Sequence, residues 1–227
     1  MNLKEQSARH ALAYVRDDMV LGLGTGSTHA YFLELLGEQL QTGALTGIVG
    51  VPSSEGRAGR ARALGIPLAA LADPARLDQV VEGADEVDND LNLIKGLGRA
   101  MLREKIVEIH ADRFVVVVDE SKLVRRLGRG PFPVDVVPFG LEAQLRWLNT
   151  LGCRAELWLE EDGSPVVTDD GNYMALCRFP EGIADPYALA RVLADRPGIA
   201  EHGLFLDMAT DVIIAGTEGI RVLRREG

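Results

Sequence analysis

The chain has 227 residues, 47% of them apolar and 26% charged, a mixture that excludes whole-chain disorder and can bury a core without a disulfide or metal staple. Twenty-four Lys and Arg against 34 Asp and Glu leave a net charge of −10, which argues against a sequence-independent nucleic-acid binder and a polybasic membrane-surface protein. Two cysteines, Cys153 and Cys177, are too few for a disulfide framework or a four-thiolate zinc site, and the four histidines, His10, His29, His110 and His202, lack metal-ligand spacing.

The first residues carry no apolar signal segment. Asn2 to Glu5 has the form of a capping box, and Ala8, Ala11, Leu12 and Val15 recur at helical spacing, which predicts a helix to about Arg16. Met19–Leu23 reads as a short strand, and Ser27 opens a helix carrying Tyr31, Leu35 and Leu36. Gly47–Val51 predicts a second strand, Ser53 or Ser54 caps the next helix, and Ile66–Ala70 is a further strand candidate. The uncharged run Ala63–Ala72 contains Gly65 and Pro67 and is too short for a membrane span, so a cytoplasmic location is expected. Asp78–Val81 and Phe114–Val118 read as buried strands, with a helix from about Gly98 to Ala111 between them. Strands alternating with helices predict a mostly parallel, three-layer α/β/α sheet domain of Rossmann-like type.

The pattern changes at the breaker cluster Gly128–Pro133. Strands at Val134–Val137, Arg154–Glu160, Tyr173–Phe179 and near Leu204–Leu206, with helices at about Leu141–Leu151 and Pro186–Ala194, give a β-α-β-β-α-β order. That is the split-βαβ, ferredoxin-like pattern of a small α+β domain. Asp211–Gly216 looks again like a buried strand. The expected division is 1–128 plus 207–227 for the α/β domain and 129–206 for the inserted one.

Glycine is in excess at 25 residues, about 11% against a usual ~7%. Gly22-Leu23-Gly24-Thr25-Gly26-Ser27-Thr28 follows a strand and opens a helix, where amides and the positive helix end favour an anion. It has Ser27 where a dinucleotide fingerprint needs glycine, and no P-loop lysine. A phosphate cup and a plain strand–helix turn capped by Ser27 both remain open. Glu82–Asp90 holds five acids that could serve acid–base chemistry, sugar hydroxyls or a divalent cation, or form a solvated loop. Lys95-Gly96-Leu97-Gly98 offers amides beside a cation for an oxyanion. Glu104 lies on the following helix, on its flank if Leu102, Ile106 and Ile109 face the core, as a site carboxylate or an exposed salt-bridge partner. Asp119-Glu120-Ser121-Lys122 is a turn whose lysine could reach an anion. All four loops are expected at carboxyl ends of strands in one α/β sheet, where such sheets bind ligands.

In this order the segments GLGTGST (Gly22–Thr28), GADE (Gly83–Glu86), KGxG…LREKIV (Lys95–Val107), DESK (Asp119–Lys122) and PVDVVPFG (Pro133–Gly140) resemble the ribose-5-phosphate isomerase A family, over essentially the whole chain. The resemblance implies interconversion of D-ribose 5-phosphate and D-ribulose 5-phosphate in the non-oxidative pentose phosphate pathway, without metal or organic cofactor. It implies a small sugar-phosphate partner, no nucleic acid or membrane, and a homodimer or homotetramer with the small domain as a lid. Substrate-binding roles would fall on Thr25, Gly26, Ser27 and Thr28, on Glu82, Gly83, Ala84 and Asp85, on Lys95, Gly96, Leu97 and Gly98, and on Lys122. The proton acceptor would be Glu104.

The chemistry of aldose–ketose isomerisation suits these residues. One carboxylate, Glu104, can move the proton between C2 and C1; Lys95 and the Gly96–Gly98 amides can hold the developing oxyanion; Asp85 can serve ring opening. The family usually has Asp where Glu82 stands and glycines where Leu97 and Arg99 stand, and the segment Ser53–Ala58 lacks the hydroxyl often found near Arg57. Leu97 is tolerable if its φ is negative; Arg99 adds a cation near the pocket or points to solvent. An active enzyme with altered constants is expected. The alternative is a sugar-phosphate sensor on the same scaffold, against which the intact Glu104, Lys95 and Asp85 set argues.

Overall fold

A computed structural model describes residues 2–74 and 76–225. The chain divides into two compact units, one of Met1–Ala84, Arg103–Leu123 and Asp207–Gly227, the other of Asp85–Leu102 and Val124–Leu206.

The first unit is built on a six-stranded sheet. Its strands are β1 (Val20–Leu23), β2 (Val49–Pro52), β3 (Gln79–Glu82), β6 (Phe114–Asp119), β12 (Asp211–Gly216) and β13 (Gly219–Arg224). Their order is β13-β12-β6-β3-β1-β2, and every pairing is parallel except β12 with β13. Val115, Val116 and Val117 of β6 are fully buried, as a central strand covered on both faces requires. Each such side chain is worth roughly 1.5–3 kcal/mol relative to exposure. Helices α1 (Leu3–Leu12), α2 (Gly26–Gln41) and α3 (Glu55–Ala63) accompany this sheet. Asn2 caps α1 through the Lys4 amide, as its capping sequence predicts, but α1 ends before Arg16. Ile66–Ala70 is not a strand: Pro67 interrupts it, and only Leu68 makes an isolated bridge to Gly50.

The second unit contains a four-stranded antiparallel sheet of β7 (Phe132–Val136), β8 (Arg154–Leu157), β9 (Tyr173–Arg178) and β10 (Ile199–His202), ordered β10-β7-β9-β8. With α5 (Leu141–Leu148) and α6 (Pro186–Ala194) this is the ferredoxin-like arrangement. Its last strand is Ile199–His202, not the expected Leu204–Leu206. Leu204–Phe205 instead forms β11, which pairs with β5 (Leu93–Ile94), itself paired with β4 (Glu86–Val87). That three-stranded sheet groups residues 85–102 with the second unit.

Helix α4 spans Met101–Glu108. Its buried face carries Met101, Glu104, Val107 and Glu108, while Ile106 is 40% and Ile109 66% exposed. The expectation that Leu102, Ile106 and Ile109 face the core is therefore overturned. Val107 sits against β1 at Gly22, where a Cβ would fall 2.7 Å from Val80 and 2.9 Å from Val107. The absent side chain lets α4 approach the sheet and carries Glu104 inward with it.

Candidate active site

In the first unit, β1, β2, β3 and β6 run parallel, so the loops after them share the carboxyl edge of the sheet. Thr25 follows β1, Ser53 follows β2, Gly83 follows β3 and Asp119–Lys122 ends β6. Thr25 is the N-cap of α2, yet its side chain makes no capping bond. Its hydroxyl donates to Glu104 Oε1 instead. Ser27 is thus not the N-cap; it lies in the first turn, exposed, and accepts a 2.8 Å bond from Lys4 Nζ.

Glu82 is fully buried. Its Oε2 accepts from the Thr25 amide at 3.0 Å, and Ser53 Oγ lies 3.5 Å from its Oε1. The Ser53 hydroxyl is 3.1 Å from the Leu23 carbonyl. A Cβ at Gly24 would come within 2.1 Å of the Glu82 carboxyl carbon, so Gly24 is the space in which that carboxylate rests. Glu104, 2% exposed, lies in the first turn of α4 rather than farther along, where the helix's positive end favours a carboxylate. Thr25 therefore joins two buried carboxylates, one through its amide and one through its hydroxyl. Gly83 approaches the Thr25 carbonyl, and Thr28 is buried in the first turn of α2. Lys122 sits on the short 3₁₀ turn after β6, half-buried, with Asp119 capping that turn through the Ser121 amide.

The second unit holds Asp85 and the lysine loop. Asp85 links β3 to β4; its amide bonds the Ile94 carbonyl at 2.8 Å and its Oδ2 accepts from the Leu97 amide at 3.0 Å. Lys95 is 3% exposed, with Nζ 5.3 Å from the centre of the Phe205 ring. The lysine loop follows β5 of the three-stranded sheet, not a strand of the central sheet. One of its expected oxyanion donors, the Leu97 amide, is engaged by Asp85. Gly96 adopts φ +115°, and Leu97 is not among the residues of positive φ. Arg99 is, at +68°, and its half-exposed side chain does not point freely to solvent. Its guanidinium grips Glu160 through two bonds of 2.5 and 3.0 Å and stacks 5.0 Å from the Trp158 ring centre.

The acidic run separates into distinct duties. Glu86 is a buried latch that accepts from the Gly128 and Gly130 amides at 2.7 and 2.5 Å. Asp88 shapes a turn through the Asp90 and Asn92 amides. Among the described residues no group of three or more His, Cys, Asp or Glu could hold a metal ion. Sequence reasoning gave Lys4 no site role and took Ser53 only as a possible helix cap, a duty that falls to Ser54; only the position of Ser53 after β2, on the same sheet edge, signals its contact with Glu82.

Fold and site together define an α/β protein whose parallel-sheet edge presents carboxylates and hydroxyls, with a second, antiparallel α+β unit. A family model for ribose 5-phosphate isomerase A (phosphoriboisomerase A) matches residues 49–219. A ribose-5-phosphate isomerase A of Roseiflexus sp. (strain RS-1) is 50% identical over 218 residues, covering 96% of this chain and 93% of the relative. A D-ribose-5-phosphate isomerase solved in complex with phospho-erythronic acid superposes with TM-score 0.96 at 44% identity, covering 99% of this chain and all of that one. The ribose 5-phosphate isomerase A of Methanocaldococcus jannaschii gives 0.92 at 37% identity, over 98% of both chains. The chain belongs to the ribose 5-phosphate isomerase A family. No described helix is long and apolar enough to cross a membrane.

Proposed function

We propose that this protein interconverts D-ribose 5-phosphate and D-ribulose 5-phosphate through an enediolate, with Glu104 as the base. The observation that carries the reading is the buried Glu104 carboxylate hydrogen-bonded to the Thr25 hydroxyl at the carboxyl edge of the parallel sheet. A base held by one oxygen keeps a fixed direction, which proton transfer between two neighbouring carbons requires.

Glu104 removes the C2 proton of the open-chain aldose, and the C1 oxygen takes up the negative charge. The same carboxyl returns the proton to C1, while the C2 hydroxyl proton passes to the C1 oxygen, leaving a hydroxyl on C1 and a ketone at C2. Net atoms and charge are unchanged. Lys95 supplies positive charge for the developing oxyanion, with the remaining lysine-loop amides. Asp85 serves ring opening, taking the anomeric hydroxyl proton and delivering it to the ring oxygen as the C1–O ring bond breaks. Thr25, Gly26, Ser27, Thr28, Gly83, Ala84, Gly96, Leu97, Gly98 and Lys122 contact the sugar phosphate, and Glu82 anchors the Thr25 loop.

Family membership supports this assignment. So does the ligand of the relative solved with phospho-erythronic acid. Its planar carboxylate presents two oxygens on one carbon, much as an enediolate presents oxygens on two. The test is ketose formation from ribose 5-phosphate by purified protein in buffer containing a chelator. Sustained turnover supports the reading. No turnover favours a non-catalytic sugar-phosphate sensor, and turnover lost only with chelator contradicts the cofactor-free mechanism.

A further inference from the structure

The first turn of α3 carries an arginine that helix stability does not explain. Ser54 caps this helix by accepting from the Arg57 amide at 3.2 Å, which fixes Arg57 at the helix's positive end, the unfavourable end for a cation. Its side chain is nonetheless drawn inward. Nη2 lies 3.5 Å from the Gly26 carbonyl in the Thr25–Thr28 loop, and Nε is buried without a hydrogen-bond partner. Burial lowers the Arg57 pKa, and the negative charges of Glu82 and Glu104 oppose that fall. Two buried carboxylates and one partly desolvated guanidinium thus lie within electrostatic reach of one another, with Thr25 bonded to both acids.

We propose that Arg57 is a positioning residue for Glu104: its guanidinium supplies the counter-charge of the Glu82–Thr25–Glu104 cluster and ties that cluster to the Gly26 carbonyl. The proposal rests on the reading of Glu104 as the base. The charged groups around Arg57 are Glu82 from β3, Glu104 from α4 and Arg60 from its own helix, which opposes it. Glu55, also on α3, pairs with Arg103 of α4 at 3.2 Å. A nearby cation favours the ionised form of a carboxylate, so the charge-state consequence is specific.

The experiment compares pH profiles of kcat/KM for wild type, Arg57→Met and Arg57→Lys. Arg57→Met should move the acid limb to higher pH and recover most activity above it. Arg57→Lys, which keeps the charge, should hold the limb near its wild-type position. An Arg57→Met limb that coincides with wild type, or a loss equal at every pH, overturns the proposal. If Arg57→Met does not fold, Arg57→Gln replaces it with the same two outcomes. Glu104→Gln run alongside separates the two ideas. A silent Glu104→Gln with an unmoved Arg57→Met limb defeats only the Arg57 proposal; an active Glu104→Gln defeats the assignment of the base.

Discussion

The Thr25 loop and the lysine loop are held in place by different means. The Thr25 loop leaves a rigid parallel sheet and is fixed by buried carboxylates: Glu82 on its amide and Glu104 on its hydroxyl. The lysine loop leaves a two-residue strand and is shaped by its backbone, with Gly96 at φ +115° and Arg99 at +68°. It is steadied from outside by Asp85 on the Leu97 amide and by the Arg99 grip on Glu160 and Trp158. The contrast teaches that Glu104 is placed by packing, where one added methyl is felt, whereas the lysine loop is placed by local conformation and surface contacts that tolerate change.

The largest expected effect is at Gly24. Gly24→Ala drives a methyl into the Glu82 carboxylate, so kcat/KM should fall by roughly 10²-fold or more and stability by about 1–3 kcal/mol. Gly83→Ala, whose Cβ would meet only the Thr25 carbonyl at 3.8 Å, should cost little stability. Urea melts and steady-state rates on the pair decide; equal losses would break the claim that packing places the Thr25 loop.

A buried acid in the second unit gives the next effect. Asp135, the fourth of the five residues of β7, is fully buried, and its pKa is pushed up to about 7 by burial, with Asp170 and Glu201 adding to the rise and Asn172 opposing it. The unfolded chain ionises near the ordinary 3.8, so the folded state binds more protons between these values. Stability from this group is present below about pH 4 and lost as pH rises towards 7. Asp135→Asn should therefore gain stability relative to wild type between pH 5 and pH 8, by on the order of 2 kcal/mol in denaturant melts. A pH-independent difference would show that Asp135 does not behave as a strained buried acid, in contrast to the well-bonded Glu82.

The smallest effect is at Arg99. The Arg99 ion pair is half-exposed and worth about 0–1 kcal/mol, while its left-handed backbone costs about 1–2 kcal/mol. Arg99→Gly loses the grip but relieves the backbone, so melts should place it near wild type and about 1 kcal/mol above Arg99→Ala. The reverse order would mean that the side-chain grip, not the backbone, shapes the lysine loop.

Much of the architecture is legible in the sequence. The valine run at 115–118 announces the central strand, and Asp185 followed by Pro186 announces α6, whose cap is the bond from the Ala188 amide to Asp185. Short or polar elements are not. β4 and β5 have two residues each, too few for a periodicity, and β10 carries Glu201 and His202 on a half-buried edge, so the more apolar Leu204–Leu206 draws the prediction. The residues of the site are legible by type and order, but their partners are not. Nothing near Glu104 in the chain reveals that its face of α4 is the buried one, since that depends on Gly22 and Thr25, some 80 positions away. Arg57 reads as an ordinary helix arginine until the fold brings it beside Glu82 and Glu104.

The central claim is that Glu104 carries the proton. Its most direct test is solvent-deuterium incorporation into substrate and product in D₂O, comparing Glu104→Gln with wild type while measuring affinity for ribose 5-phosphate. The account predicts undiminished binding and a fall in exchange of roughly 10²–10⁴-fold. Exchange at the wild-type rate in Glu104→Gln would contradict it and move the proton to another carboxylate.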